Sequence, residues 1–327
     1  MDLIDKYIHY VRDVRRYSSR TGDSYEEILR AFSQYILRDT DNPSADDLLL
    51  ALNPSEIRQY EVYMLDEKGN NPSTVNLHLS VLSGFCRFLM KEGLLKSNPV
   101  RLVHRPKVEK RLPEFFKQDA MEAYLERTEY YASKAALNVF KHEPLSEDSK
   151  ELYENRLARL MISMFYGLGL RRSELIGLRI CDVDFARKVV NVTGKGNKQR
   201  SIPMIDSLIS EIQLYLEAVE ALVECRRAVS EPLLVTYTGL ALYPVYVDRA
   251  IKKQLGDSTA FSGRKSPHVL RHSVATGLLN EGAQLNSIKE MLGHSSLAAT
   301  QVYTHNSIAK LQKVYKDAHP RAISAKK

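Results

Sequence analysis

Apolar residues recur at every third or fourth position through most of this chain, and at one stretch the rhythm changes to alternation. That pattern confines the fold to a mainly helical one carrying a small sheet, because a period of 3.6 buries one face of a helix and a period of 2 buries one face of a strand. The clearest helical segment is "TVNLHLSVLSGFCRFLMKEG", which puts Val75, Leu79, Leu82, Cys86 and Leu89 on one stripe. Ser73 is its expected N-cap and Gly93 its stop. Segments near 2–17, 23–38 and 54–67 read the same way, with "DNPSADD" and "GNNPS" as breaks between helices. Then "LKSNPVRLVHRPKVEKRLPEFF" loses the period, gathers bases and prolines, and reads as an extended basic linker.

Beyond about residue 113 the pattern is mixed. Helices are expected near 117–131 and 152–168 on either side of the polar break "KHEPLSEDS", and again near 206–225, 243–255, 268–281, 284–292 and 306–318. The alternating stretch is "RKVVNVTGKGNKQRSIPM". Its β-branched runs flank Gly194-Lys195-Gly196-Asn197, which predicts an antiparallel hairpin whose glycines supply positive φ. A length of 327 residues exceeds one typical core, so two domains are expected: 1–106, a linker at 107–112, and 113–327.

Composition narrows the class. No run approaches the 18 consecutive apolar residues of a membrane span, and "MDLIDKYIHYVRDV" has no apolar signal core, so a cytoplasmic protein without membrane attachment is expected. Cys86, Cys181 and Cys225 are too scattered for a zinc site or a disulfide framework, which fits a reducing compartment. The net charge of +7 points weakly to a polyanionic partner. Residues 1–112 hold 17 Lys and Arg against 16 Asp and Glu, whereas residues 113–327 hold 30 against 24.

Within the second part, several residues combine into one chemistry. In "YGLGLRRSELIGL", Arg171 and Glu174 are three apart and share a helix face, with Leu175 and Leu178 toward the core. In "PHVLRHSVATGLL", His268 and Arg271 have the same spacing behind Pro267. Lys195 occupies the hairpin turn, and "GHSSLAATQVYTHNS" adds His294 and Tyr303 among small and polar residues. Singly, each has a structural explanation: a surface ion pair, a basic helix end, a solvated turn lysine or a packed tyrosine. Jointly they supply what phosphoryl transfer needs. Two arginines can hold non-bridging oxygens, a tyrosine hydroxyl can attack phosphorus, and a lysine or histidine can protonate the leaving oxygen. "TGKGNK" lacks the spacing of a nucleotide-binding P-loop, and no acidic cluster marks a metal pair. No cofactor and no metal are expected.

The order Arg, Lys, HxxR, His, Tyr, in the contexts "GLRRSELIGL", "TGKGNKQRSIPM", "PHVLRHSVAT" and "LGHSSLAATQVYTH", resembles the tyrosine recombinase (phage integrase) family, and most of all its bacterial Xer branch. The first half, through "NPSTVNLHLSVLSGFCRFLMKEGLLKSNP", is similar to that family's SAM-like core-binding domain, and the tail "KLQKVYKDAHPRA" also looks Xer-like. The resemblance implies a helical DNA-binding domain followed by a mostly helical catalytic domain with a small antiparallel sheet, the two clamping duplex DNA. It makes Tyr303 the nucleophile, gives the scissile phosphate to Arg171 and Arg271, and assigns hydrogen bonding and proton management to His268 and His294. It makes Lys195 the general acid, with Lys198 the alternative in the same hairpin, and Glu174 an orienting carboxylate. Arg172 is the competing register for Arg171.

The reaction so implied is two transesterifications through a 3′-phosphotyrosine, run by a homo- or hetero-tetramer of protomers on two DNA sites. The Xer likeness adds a dif-like chromosomal site, chromosome dimer resolution, and activation by an FtsK-like septal DNA translocase. It also places the amphipathic segment 306–318, with Ile308, Leu311, Val314 and Tyr315 on one stripe, against a neighbouring protomer. Other readings are an integrase of a mobile element, a non-catalytic architectural DNA-binding protein, and a type IB topoisomerase. One departure is residues 128–152, longer and more acidic than a Xer protein would have. They are read as a surface loop, with contact to a partner protomer as the alternative.

Overall fold

A computed structural model of the chain describes residues 2–41, 43–109, 114–194, 197–223, 227–256, 261 and 263–293. Lys195, His294, Tyr303 and the expected helix at 306–318 lie outside the described residues. The chain divides into two units, Met1–Arg111 and Leu112–Lys327. The architecture is mainly α with one small antiparallel sheet, as the periodicity predicts.

The first unit is helical among its described residues: α1 (Leu3–His9), α2 (Ser19–Ile36), α3 (Ala45–Ala51), α4 (Pro54–Val62) and α5 (Pro72–Lys91). All five stripe residues of α5, from Val75 to Leu89, are buried in a core shared with Tyr7, Phe32 and Tyr60. The cap of α5 is Asn71 and not Ser73: its side chain accepts the Thr74 N–H at 2.9 Å, and Pro72 takes the first helical position, where no N–H is needed. Helix α3 lies partly inside the expected break "DNPSADD", opened by a Ser44–Asp47 capping box. The start of the supposed linker is also packed. Pro99–Leu102 form a 3-10 turn, Val100 and Val103 join the core, and Asn76 donates to the Pro106 carbonyl at 2.9 Å.

The second unit is built around α8 (Glu147–Leu168), whose last thirteen residues, from Arg156 onward, are all buried. A helix buried all round needs neighbours on every side. These are α7 (Lys134–His142), α10 (Asp206–Val223), α11 (Pro244–Gly256) and α12 (Pro267–Asn280). The remaining helices are α6 (Gln118–Arg127), α9 (Arg172–Gly177) and α13 (Leu285–Leu292). Helix α7 overturns the loop reading of 128–152. Ser133 caps it, and Ala136, Leu137 and Phe140 are buried in the core. The break before α8 is therefore short, and Ser146 caps α8 by accepting the Ser149 N–H at 3.2 Å. No helix among the described residues is long and apolar enough to cross a membrane.

The sheet runs β1 (Val183–Asp184), β2 (Val189–Thr193), β3 (Gln199–Pro203) in that order, all antiparallel. Its register pairs Val190 with Ile202 and Val192 with Arg200, so these four residues share the buried face. Among the described turn residues the positive φ, 57°, belongs to Asn197 and not to Gly194.

Candidate active site

Side chains from the turn before α9, from β3 and from α12 converge on one carboxylate, that of Glu174. Helix α8 ends at Gly169, whose φ of 60° is left-handed, and the chain turns directly into α9. Arg171 is the residue before α9 and has extended backbone, so it does not sit within a helix as the i, i+3 reading assumes. Glu174, in the first turn, reaches back and accepts the Arg171 backbone N–H at 2.8 Å. That bond satisfies a helix-end donor and fixes the carboxylate's position. Glu174 also accepts from the Arg171 guanidinium at 2.7 Å.

Arg271 comes to the same place from α12, where Pro267 occupies the helix start and Leu270 faces inward. Its Nη1 lies 3.9 Å from Glu174. It donates to the carbonyls of Gly169 and Leu292, and so joins the end of α8 to the end of α13. Arg171 donates to the next carbonyl, Gly293, at 2.9 Å. Carbonyls in the last turn of a helix have no partner within it, so they are ready acceptors for cations.

A third arginine, not singled out by the sequence reading, completes the cluster. Arg200 on β3 is buried and donates to both Glu174 oxygens at 2.9 and 2.8 Å. Its Nε donates to the Met291 carbonyl at 2.8 Å. The signal for it was present in "QRSIP": alternation puts Arg200 on the same face as the apolar Ile202, and a cation on a buried face demands a carboxylate partner. Gly293 is required beside it, since φ there is 65° and an added Cβ would stand 3.1 Å from Arg200 Nη1.

Electrostatics follow from this packing. Burial would raise the Glu174 carboxyl, but hydrogen bonds from Arg200 and Arg171 outweigh it and hold the group down at about 2. Burial, joined by the neighbouring Arg171 charge, lowers Arg271 to about 10, so it remains a cation at neutral pH. Three guanidiniums share one carboxylate, which leaves a surplus of positive charge. The Arg171 side chain keeps 42% of its surface open to solvent, so that surplus is accessible to an anion. The open Arg171 guanidinium can meet a non-bridging oxygen of a phosphodiester, with the buried Arg271 charge close behind it.

His268 is placed differently. It is exposed on α12 and pairs with His272, Nε2 to Nε2, at 3.1 Å. Partial burial, then the charges of His272, Arg271 and Arg264, push its pKa below the ordinary value, so the imidazole is neutral at pH 7. Arg172 turns away and pairs with Asp248 on α11. The structure thus brings Arg171, Glu174 and Arg271 into one network and sets His268 at its exposed edge. Gly194 and Gly293, which immediately precede Lys195 and His294, both lie against Arg200. Among the described residues no group of three His, Cys, Asp or Glu side chains could hold a metal ion.

Two family models match the chain: "Phage integrase family" over residues 143–310, and "Phage integrase, N-terminal SAM-like domain" over residues 4–93. The chain is 33% identical to the tyrosine recombinase XerC of Chlorobaculum parvum, over 98% of this chain and 94% of that protein. Among solved structures it is similar to the XerH site-specific recombinase bound to a palindromic difH substrate, with TM-score 0.63 and 17% identity, over 98% of this chain and 82% of that one. It is also similar to the Tn1549 transposon integrase in complex with circular intermediate DNA, with TM-score 0.62 and 19% identity, over 96% and 99%.

Proposed function

The chain belongs to the phage integrase family of tyrosine recombinases, and from that membership we propose that it recombines duplex DNA at a specific site through a 3′-phosphotyrosyl intermediate on Tyr303. The observation that carries this reading is the meeting of Arg171 and Arg271, from distant parts of the sequence, on the single carboxylate of Glu174. Their guanidiniums hold the scissile phosphate. The Tyr303 oxygen attacks phosphorus, the bond to the 5′ oxygen breaks, and Lys195 gives that oxygen its proton. His268 and His294 hydrogen-bond the phosphate and take up the tyrosine proton. A free 5′ hydroxyl of the other duplex then attacks the phosphotyrosine and releases Tyr303. Each step exchanges one phosphodiester for another, so no energy source is needed.

The finer reading is chromosome dimer resolution at a dif-like site, by four protomers assembled on two sites and activated by an FtsK-like septal DNA translocase in the cytoplasm. Similarity to XerC over nearly the whole of both chains supports it. The test begins by mapping the DNA that the protein occupies in the cell. Occupancy at one chromosomal locus is expected, and occupancy at the ends of a mobile element would move the reading to an element's integrase. That sequence, presented as a nicked suicide substrate, should trap the protein covalently. Tyr303→Phe should bind it normally and form no adduct. An adduct that persists in this variant, or maps to another tyrosine, removes Tyr303 from the role.

A further inference from the structure

Nothing in the reading above uses Arg200, yet no side chain is tied more fully into the cluster. Each of its three nitrogens is already a donor: Nη1 and Nη2 to Glu174, Nε to the Met291 carbonyl. Its side chain is as enclosed as that of Arg271, 7% exposed, but unlike Arg271 it spends both Nη atoms on Glu174. We propose that Arg200 is a positioning residue for the phosphate clamp, locking the plane of Glu174 and the end of α13 together so that Arg171 and Arg271 are held at one fixed geometry. The proposal rests on the reading of those two arginines as the clamp.

The last torsion of a glutamate is soft, so Glu174 alone would not hold a fixed plane. A guanidinium fork with two parallel bonds to the two oxygens fixes that plane. Arg200 makes this contact from a strand, an element that cannot move without breaking its ladder to β2. With the plane fixed, Oε1 meets the Arg171 guanidinium and Oε2 meets the Arg171 backbone N–H. The Arg200 Nε bond acts on the other side. Met291, Leu292 and Gly293 offer consecutive carbonyls, taken in turn by Arg200, Arg271 and Arg171. Arg200 fills the first and therefore sets the height at which the two clamp arginines find the next two. A lysine in its place keeps the charge beside Glu174 but offers one nitrogen where three are needed.

The test uses the full-length protein on its own DNA site, with two forms of the cleaved strand. One has the natural scissile phosphate. The other carries a methylphosphonate there, in which a methyl group replaces one non-bridging oxygen, so the group is neutral and asks less of a cationic clamp. Arg200→Lys should bind both within about twofold of the parent, since it does not touch the phosphate. On the natural strand it should form the covalent adduct about 100-fold more slowly, the scale of loss when a catalytic group is misplaced by about 1 Å. On the methylphosphonate strand the deficit should shrink to roughly threefold, as should that of Arg171→Ala.

Equal deficits of Arg200→Lys on both strands, or none on either, overturn the positioning role while compensation in Arg171→Ala leaves the clamp standing. No compensation in Arg171→Ala overturns the clamp and the role of Arg200 with it. Should Arg200→Lys fail to fold, Arg200→Gln, which leaves Glu174 its bonds from Arg171 and the neighbouring Arg271 charge, is put through the same comparison with the same outcomes.

Discussion

Glu174 is 6% exposed and still ionised, which is possible only because each of its oxygens accepts from arginine. Its pKa falls from an ordinary 4.5 to about 2 on folding, so the folded state binds the proton less readily than the unfolded one. Stability from this group is therefore fully present above pH 4.5 and is lost as pH falls from there toward 2. A shift of that size corresponds to roughly 3 kcal/mol. Glu174→Gln should be less stable than the parent at pH 7, and the gap should close on acidification. Urea unfolding of both proteins at pH 7, 4 and 3 checks this, and a gap that stays constant across that range would contradict the assigned pairing.

At the scale of elements, α7 is where a polar stretch became core. Helix α7 packs on α8 and α10, and its Ala136, Leu137 and Phe140 are almost fully buried. Phe140 packs against Tyr153 of α8 with ring centroids 5.8 Å apart. Truncating such a ring leaves a cavity that a close-packed helix pair cannot close. Phe140→Ala is expected to destabilise the protein by about 3–5 kcal/mol. Val139→Ala, at a side chain 58% exposed on the same helix, should change stability by less than about 0.5 kcal/mol. Denaturant midpoints of the two variants check the contrast, and similar values for both would mean that α7 is not held as described.

At the scale of the whole molecule, each unit has a core of its own: one around Phe85 and Tyr60, the other around α8. A segment that buries its own apolar surface can fold without the rest of the chain. The fragments 2–106 and 114–327 should therefore each unfold in a cooperative transition when expressed separately. Calorimetry of both checks it, and a fragment of 2–106 that melts without a heat-absorption peak would show that its core needs the remainder of the chain.

Much of this was determined by the sequence alone. Periodicity is a local property, so the helices around Val75–Leu89 and Leu157–Leu168 and the hairpin over Val189–Pro203 could be read from the order of residues. The likeness to tyrosine recombinases was legible for the same reason, since its motifs are short and contiguous. Caps were less legible: Asn71 and Ser73 are both good cap residues, and Asn71 took the role once Pro72 started α5. A helix as short as α7 shows too little period to be told from a loop, and it was settled by the partners it packs on. The charge network was settled only by the tertiary structure. Arg200, Arg271 and Glu174 sit on a strand and two helices, and nothing in their local sequence states which guanidinium will face which carboxylate. That choice follows from burial, because a cation enclosed by the packing of α9, α12, α13 and β3 must find its counter-charge and its carbonyls there or not be buried at all.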